Sequence, residues 1–586
     1  MDENKYVYCR KFFLTLISAE NIPNVRKFFE SKVYSKVSFG GDKKTERRTP
    51  VDKHNELNPA WNYTMKYTVA EPGVIHYSIQ LVIKLYCKRK LGDRYIGEVH
   101  TPIKELFDRA YSEGGNAMLD LPIIQGSASA ETGAEGCRIE ELGHLKNLRG
   151  KIEIRNLQLV NNEAEAKKAN LDGKTNIIEL KFCWRNTNEG NITYESVLES
   201  DTRNRNVLES NIHDESVLKG LQPHPNLRSI VIEGFRGKNF PLWTMKMLKL
   251  DKLIEIELIK CYNCEKIPML GHLPLLKYLK LKGLTNVTSI ELSFYGASDC
   301  SSTSRNDGQE TRVSFPSLKS LIIEEMPNLT EWVEAQTSRV QVFPCLEILK
   351  IEKCCKLTNI ISSSNLTSLV GLTIDECKNL AYISHLRGCE ASLKQLIIQA
   401  CDELRELPDD LGSLESLETL RIDSCENLQL IPYPSGQKGL SSLRRLEICN
   451  CKRLSNLPSE MLKFCTSLRG LNVFRCENLT SFPELSGMVW FNILRELSIG
   501  GFSNSDTLEG ICRQIKSVPI LRLYGRPDWV SLPYQLQNLI SLKQLSIIDF
   551  GIEELPSWLG NLSSLEILIL WKCEKLRHLP SKEAMQ

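Results

Sequence analysis

A segment that returns again and again along the chain constrains this sequence more than any other feature. Leu393-Lys-Gln-Leu396-Ile-Ile398-Gln-Ala-Cys401-Asp-Glu-Leu404-Arg-Glu-Leu407-Pro408 recurs as Leu417, Leu420, Ile422, Cys425, Leu428 and Ile431-Pro432. It recurs again as Leu443, Leu446, Ile448, Cys451, Leu454 and Leu457-Pro458, and as Leu468, Leu471, Val473, Cys476, Leu479 and Phe482-Pro483. The period is 23 to 26 residues, and fourteen units begin at 227, 253, 276, 318, 346, 369, 393, 417, 443, 468, 494, 518, 542 and 565. Weaker versions precede them around Ile152 and Ile177. A unit this short cannot bury its apolar face alone, so the units must stack into a one-dimensional array.

Within each unit the central apolar-x-apolar triplet alternates with period 2, which predicts a short strand with two side chains inward and the intervening ones outward. Stacked units then form one continuous parallel sheet. Eight of the twenty cysteines (Cys261, Cys354, Cys377, Cys401, Cys425, Cys451, Cys476 and Cys573) share one position, where the chain turns off the strand. A small, weakly donating thiol suits a site inside the coil beside backbone carbonyls, so these cysteines read as packing residues in a reducing compartment. The Leu/Ile/Phe-Pro pair at the end of each unit is expected to close the segment behind the sheet, since proline cannot continue a helix. Residues 183–226 and 297–314 interrupt the period as polar insertions and are expected to be mobile. The last unit is followed by Lys-Glu-Ala-Met-Gln without a polar cap, which predicts fraying, a partner or a chain cut short.

At 586 residues the chain is too long for one ordinary core. Its net charge of +2 conceals a split: residues 1–125 hold 20 Lys/Arg against 15 Asp/Glu, and the remainder 54 against 57. The first twenty residues carry too short and too charged an apolar stretch for a signal peptide, and no apolar run of about 18 residues occurs, so a cytoplasmic protein is expected. Residues 1–124 show a different pattern from the repeats. Short alternating runs at Phe12–Ile17, Val33–Phe39, Trp61–Val69 and Ile79–Leu85, separated by turn residues, predict an antiparallel β-sandwich. Residues 125–136 have linker composition, and the array occupies 137–586.

Catalytic signatures are not found: there is no H-E-x-x-H, G-x-S-x-G or glycine-rich dinucleotide loop. Asp172-Gly173-Lys174-Thr175 lacks the first glycine of a phosphate loop and precedes a strand, so it reads as an ordinary loop. Cys261-Tyr-Asn-Cys264 has zinc-site spacing, yet no second pair follows it, and core packing is favoured. No enzyme activity, cofactor or metal is expected.

Two resemblances add to this reading. Cys137–Leu157, Ala166-Lys-Lys-Ala-Asn-Leu171, Val217–Leu227 and Ile267–Lys277 resemble the repeat region of plant nucleotide-binding leucine-rich-repeat disease-resistance proteins. That resemblance implies a horseshoe-shaped α/β solenoid inside the cell, presenting a surface to a pathogen effector, a guarded host protein or a signalling component. The nucleotide-binding module of that family is missing here, so its ATP-driven switching is not carried over. Asn58-Pro-Ala-Trp-Asn62, Tyr95–Leu106 and Leu14–Ile22 resemble a plant C2 domain. Many C2 domains hold calcium with aspartates from two loops, because a hard cation needs several anionic oxygens. Here the matching loops offer Arg26 and Lys32, then Cys87 and Arg89, with Asp93 as the one remaining acid, which predicts calcium independence.

The same loops supply a basic group for an anionic phospholipid surface: Arg26, Lys27, Lys32, Lys43, Lys44, Arg47, Arg48, Lys88, Arg89, Lys90 and Arg94. The alternative is a solvated charged surface. Nucleic acid is not expected, because no aromatic platform is interleaved with the charges. The module is also short by the measure of its plant relatives, which continue into a final strand after residues 118–123, and fusion of two neighbouring reading frames stays open.

On the solenoid the outward strand positions can be read directly. Early units present Glu233, Glu255, Glu257, Lys280 and Lys282, and middle units Thr419, Arg421, Asp423, Arg445 and Glu447. The last units present Ile520, Arg522, Tyr524, Ile548, Ile567, Ile569 and Trp571, an apolar and aromatic group of the kind that anchors protein interfaces. A missing cap or an oligomer covering the same patch is the competing reading. The expected protein is therefore a non-enzymatic, defence-related recognition protein with a peripheral hold on the inner face of the plasma membrane. A general membrane-associated signalling or trafficking adaptor is the alternative.

Overall fold

The computed structural model describes residues 9–19, 33–39, 44–52, 59–70, 79–88, 93–104, 106–107, 139–184, 207–246, 250–296, 312–333, 340–360, 366–383, 386, 388–433, 439–485 and 487–578. The chain divides into two compact units, residues 1–136 and 137–586.

In the first unit β1 (Cys9–Ser18) pairs antiparallel with a strand at Ala60–Ala70. Four further strands make a second antiparallel sheet: β2 (Val33–Phe39), β3 (Arg47–Arg48), β5 (Gln80–Cys87) and β6 (Arg94–Pro102), where β4 denotes Ala60–Ala70. Its order is β3-β2-β5-β6. Period-2 alternation decides what is buried. Phe13, Thr15 and Ile17 face outward, while Leu14 and Leu16 pack on a core of Val37, Met65, Tyr67, Leu81, Ile83 and Val99 drawn from both sheets. The Tyr67 hydroxyl donates to the Val37 carbonyl at 3.1 Å, so the buried ring keeps its polar tip satisfied. Cys87, which the sequence places in a loop, is the buried last residue of β5 and pairs with Val33. The final strand and linker questions fall on residues 108–138, outside the described residues.

The second unit is a solenoid. Sixteen parallel strands, from Gly150–Ile154 through Ile177–Cys183 and Ser229–Glu233 to Ile567–Trp571, follow one another in chain order in a single sheet. From Ser229–Glu233 onward each coil contributes a five-residue strand whose second and fourth side chains point inward, as Leu396 and Ile398 do; the corresponding pairs in the first two strands are Ile152 and Ile154, then Leu180 and Phe182. Burying one such side chain contributes about 1.5–3 kcal/mol, and each shares the benefit with the coils on either side.

The residue after the strand then takes a left-handed conformation. Lys260, Lys353, Glu376, Ala400, Ser424, Asn450, Arg475 and Lys572 all have φ between 50° and 55° there. For a residue with a Cβ this costs on the order of 1–2 kcal/mol. The return is one more rung of the ladder: the Lys353 amide donates to the Asp375 carbonyl at 2.9 Å, and Glu376 to Gln399 at 3.0 Å. The bend also throws the next side chain inside the coil, where the shared cysteine lies. Cys377 donates to the carbonyls of Asp375 at 3.6 Å and Ile351 at 3.9 Å, and Cys476 to those of Phe474 and Ile448 at 3.6 and 3.7 Å. These two thiols thus tie their own strand ends to the coil before.

Two expectations are corrected. Proline opens the segment behind the sheet instead of closing it: Pro408, Pro458, Pro533 and Pro556 each precede a helical turn, at Asp409–Ser413, Ser459–Phe464, Tyr534–Asn538 and Ser557–Asn561. With φ between −58° and −66° and no amide proton to orphan, proline suits a helix start.

The insertion at 183–226, expected to be mobile, contains a helix at Val207–Gly220 that is packed into the solenoid. Val217, Leu218 and Leu221 are buried, and so is the carboxylate of Asp214, which accepts from Arg236 through Nε at 2.9 Å and Nη2 at 3.2 Å. Asp214, Val217, Leu218 and Leu221 fall on one helical face, a 3.6-residue pattern masked by the polar residues between them. Residues 185–206 and 297–311 lie outside the described residues.

Candidate recognition face

The outward side chains of the sheet stand in three columns, because every strand from Ser229–Glu233 onward pairs with the next without slippage. In the early and middle coils the columns are charged and largely self-paired. Lys181 reaches Glu233 at 2.8 Å, and Arg421 reaches Asp423 at 2.9 Å and Glu447 at 3.6 Å. Glu324 is met by Lys280 at 3.2 Å, Lys282 at 3.3 Å and Lys350 at 3.8 Å. Burial works against its charge, yet the three ammonium groups outweigh that and hold its carboxyl below the usual range. Burial and the neighbouring Glu255 have the opposite effect on Glu257, whose pKa is raised.

The character changes from the strand Gly470–Phe474 onward. The fifth-position column runs Phe474, Gly500, Tyr524, Ile548 and Trp571. Gly500 leaves a gap, and Phe474 and Tyr524 close over it with ring centroids 4.0 Å apart and planes 6° from parallel. Arg475 lies 5.7 Å from the Tyr524 ring and pairs with Asp549 at 3.5 Å. Burial raises the Tyr524 phenol above its ordinary pKa. In the other columns Ile520 registers with Gln544 and Ile567, and Arg522, ion-paired to Glu496, registers with Ser546 and Ile569.

All seven residues expected to form the patch therefore lie on one face and in adjacent strands. They differ in how much they offer. Ile567, Ile569 and Trp571 are 49%, 39% and 51% exposed, on the last described strand, whereas Ile520, Tyr524 and Ile548 are partly covered. Phe474 was not anticipated. Aligning the fifth strand positions and noticing glycine at 500 between two aromatic residues was the signal that could have found it.

The phosphate-loop look-alike is occupied by structure. Lys174 is buried with its ammonium donating to the carbonyls of Leu142 at 2.6 Å and Leu145 at 3.0 Å, the end of the short helix Glu141–His144. Cys261 and Cys264 are buried and donate to different carbonyls, Ile232 and Gly237. Among the described residues no group of three His, Cys, Asp or Glu is placed to hold a metal ion.

In the first unit, Lys44, Arg47, Arg48 and Lys88 are surface residues, Arg47 and Arg48 forming the outer strand of their sheet. The Arg48 guanidinium sits 3.6 Å over the Tyr34 ring, whose hydroxyl donates to Asp93 at 2.7 Å. Arg94 opens β6 opposite Cys87, with only its backbone described. Arg26, Lys27, Lys32, Lys43, Arg89 and Lys90 lie outside the described residues. No helix among the described residues is long and apolar enough to cross a membrane.

The stacked parallel strands and the antiparallel sandwich define a leucine-rich-repeat solenoid preceded by a C2 domain. The repeats over residues 139–378, more particularly, match those of plant disease-resistance proteins. Residues 139–284 match the family model described as R13L1/DRL21 LRRs, and residues 239–378 the one for the leucine-rich repeats of plant disease resistance protein RPS2-like chains. Residues 10–117 match the C2 domain.

Over 371 residues the chain is 29% identical to a disease resistance RPP13-like protein 1 of Arabidopsis thaliana, covering 61% of this chain and 30% of that one. It is 34% identical over 264 residues to disease resistance protein RGA2 of Solanum bulbocastanum, covering 43% and 24%. A third similarity, 37% over 102 residues, is to a protein SRC2 homolog of Arabidopsis thaliana, covering 17% and 32%. The chain thus spans about a third or less of these relatives.

Proposed function

We propose that this chain is a non-enzymatic, defence-related recognition protein of plants, whose solenoid face binds a protein partner and whose C2 domain contacts anionic membrane without calcium. The observation that carries the first part is the change of character along one sheet. Charges in the early and middle coils are matched to one another, while Phe474, Tyr524 and Ile548 in the fifth-position column and Ile567, Ile569 and Trp571 on the last described strand present aromatic and aliphatic side chains to the open side. Buried clusters of that composition are where interface energy concentrates, commonly 2 kcal/mol or more for an anchor residue. The partner is a pathogen effector, a guarded host protein or a signalling component, and the cytoplasmic side of the plasma membrane is where it is met.

The membrane part rests on Lys44, Arg47, Arg48 and Lys88 at the surface of the C2 domain, each contributing on the order of 1 kcal/mol near an anionic leaflet. Calcium independence is supported by Asp93, whose carboxylate is engaged by the Tyr34 hydroxyl. Capture from challenged plant tissue tests the recognition reading. A partner held by the wild type and by Tyr534→Ala, a substitution behind the sheet, but lost with Ile569→Asp and Trp571→Ala supports it. A partner set indifferent to all three substitutions removes it.

A further inference from the structure

Resting on that reading of the patch, we infer that the paired rings of Phe474 and Tyr524, with the polar column beside them, seat an indole side chain carried by the protein partner. Asn472 and Phe474 are two residues apart on one strand, so their side chains leave the same face side by side. The same holds for Ser546 and Ile548. Asn472 and Ser546 are only 9% and 2% exposed although both occupy outward positions. The Asn472 amide nitrogen donates to Glu447 at 3.3 Å, but its Oδ1 meets no donor, and Ser546 Oγ has no partner either. Buried acceptors of this kind are rare in folded proteins and call for an explanation.

A donor arriving on a flat apolar body answers both halves of the site. Its ring lies against the Phe474–Tyr524 pair, and its single N–H reaches Asn472 Oδ1, on the same strand as Phe474. The charge of the group is also decided by the surroundings. Arg475 and Arg522 flank the rings and are already paired with Asp549 and Glu496, so an incoming charge of either sign finds these counter-charges taken. Among protein side chains, indole combines planarity, neutrality and a lone donor.

The test uses the intact chain with three probes: N-acetyl-tryptophanamide, its N1-methyl derivative and N-acetyl-phenylalaninamide, titrated by saturation-transfer difference NMR. The expected result is binding of the free indole about five-fold tighter than its methylated form, the effect of one neutral hydrogen bond. That preference falls to unity in Asn472→Leu and in Asn472→Ala, the latter serving if the former fails to fold, and is kept in Ser546→Ala, three strands away. Equal binding of the two indoles, no binding by either, or a preference that survives both Asn472 substitutions overturns the inference. If any of these occurs while partner capture still depends on Trp571, the indole seat alone falls and the recognition face stands.

Discussion

Phe474 and Tyr524 stack face to face across a strand that places no side chain between them, because Gly500 occupies the intervening position. Gly500 has φ +122°, and a Cβ there would come within 2.0 Å of the Tyr524 carbonyl oxygen. Gly500→Ala should therefore cost at least about 1–3 kcal/mol from backbone conformation alone. A lowered urea midpoint followed by tryptophan fluorescence would show it. An unchanged midpoint would mean the bend relaxes freely.

The buried pair behind the sheet makes a second prediction. Arg236→Leu leaves the Asp214 carboxylate without its guanidinium in a fully buried site, which should destabilise the solenoid by about 3–5 kcal/mol. Adding Asp214→Asn should restore part of that loss, a coupling that a double-mutant cycle in urea measures.

Thiol chemistry follows the coil geometry. Cys401 is kept protonated by the neighbouring Cys425 thiol and by burial, and Cys451 by Cys476 and burial. Cys345 is exposed. Since the thiolate is the reactive species, a disulfide reagent should modify Cys345 in the native chain and reach Cys401 and Cys451 only on unfolding, as peptide mapping would record.

In the C2 domain the Glu98 carboxyl is lowered to about 2, chiefly by its 2.8 Å contact with His100, with Tyr95 and Lys84 adding to it and burial opposing it. A depressed carboxylate stabilises the folded form above its unfolded pKa. Its contribution should be complete above pH about 4.5 and be lost as pH falls toward 2. Carboxyl-labelled glutamate NMR should show His100→Ala moving the Glu98 midpoint upward.

Most of the solenoid was legible because its strands alternate strictly: Leu396 and Ile398 inward and Ile397 outward is a pattern that sequence alone displays. The outward columns, and hence Tyr524 and Trp571 on one face, followed from the same alternation. The left-handed bend did not, since Lys, Glu, Ala, Ser, Asn and Arg all occupy it and it is imposed by the next coil's carbonyl. Nor did the Phe474–Tyr524 stack, which depends on register carried across the intervening strand between residues 50 apart in the chain. The helix at 207–220 is hidden by its charged outer face, and the repeat pattern alone does not say whether proline ends one segment or starts the next, since it is compatible with a helix start.

The central claim is that the strands at 520–524, 544–548 and 567–571 receive the partner. Hydrogen–deuterium exchange of the intact chain, with and without the captured partner, tests it most directly. The account predicts slowed exchange in these strands and in Gly470–Phe474, with Asp409–Ser413 and Tyr534–Asn538 behind the sheet unchanged. Protection confined to the segments behind the sheet would contradict it.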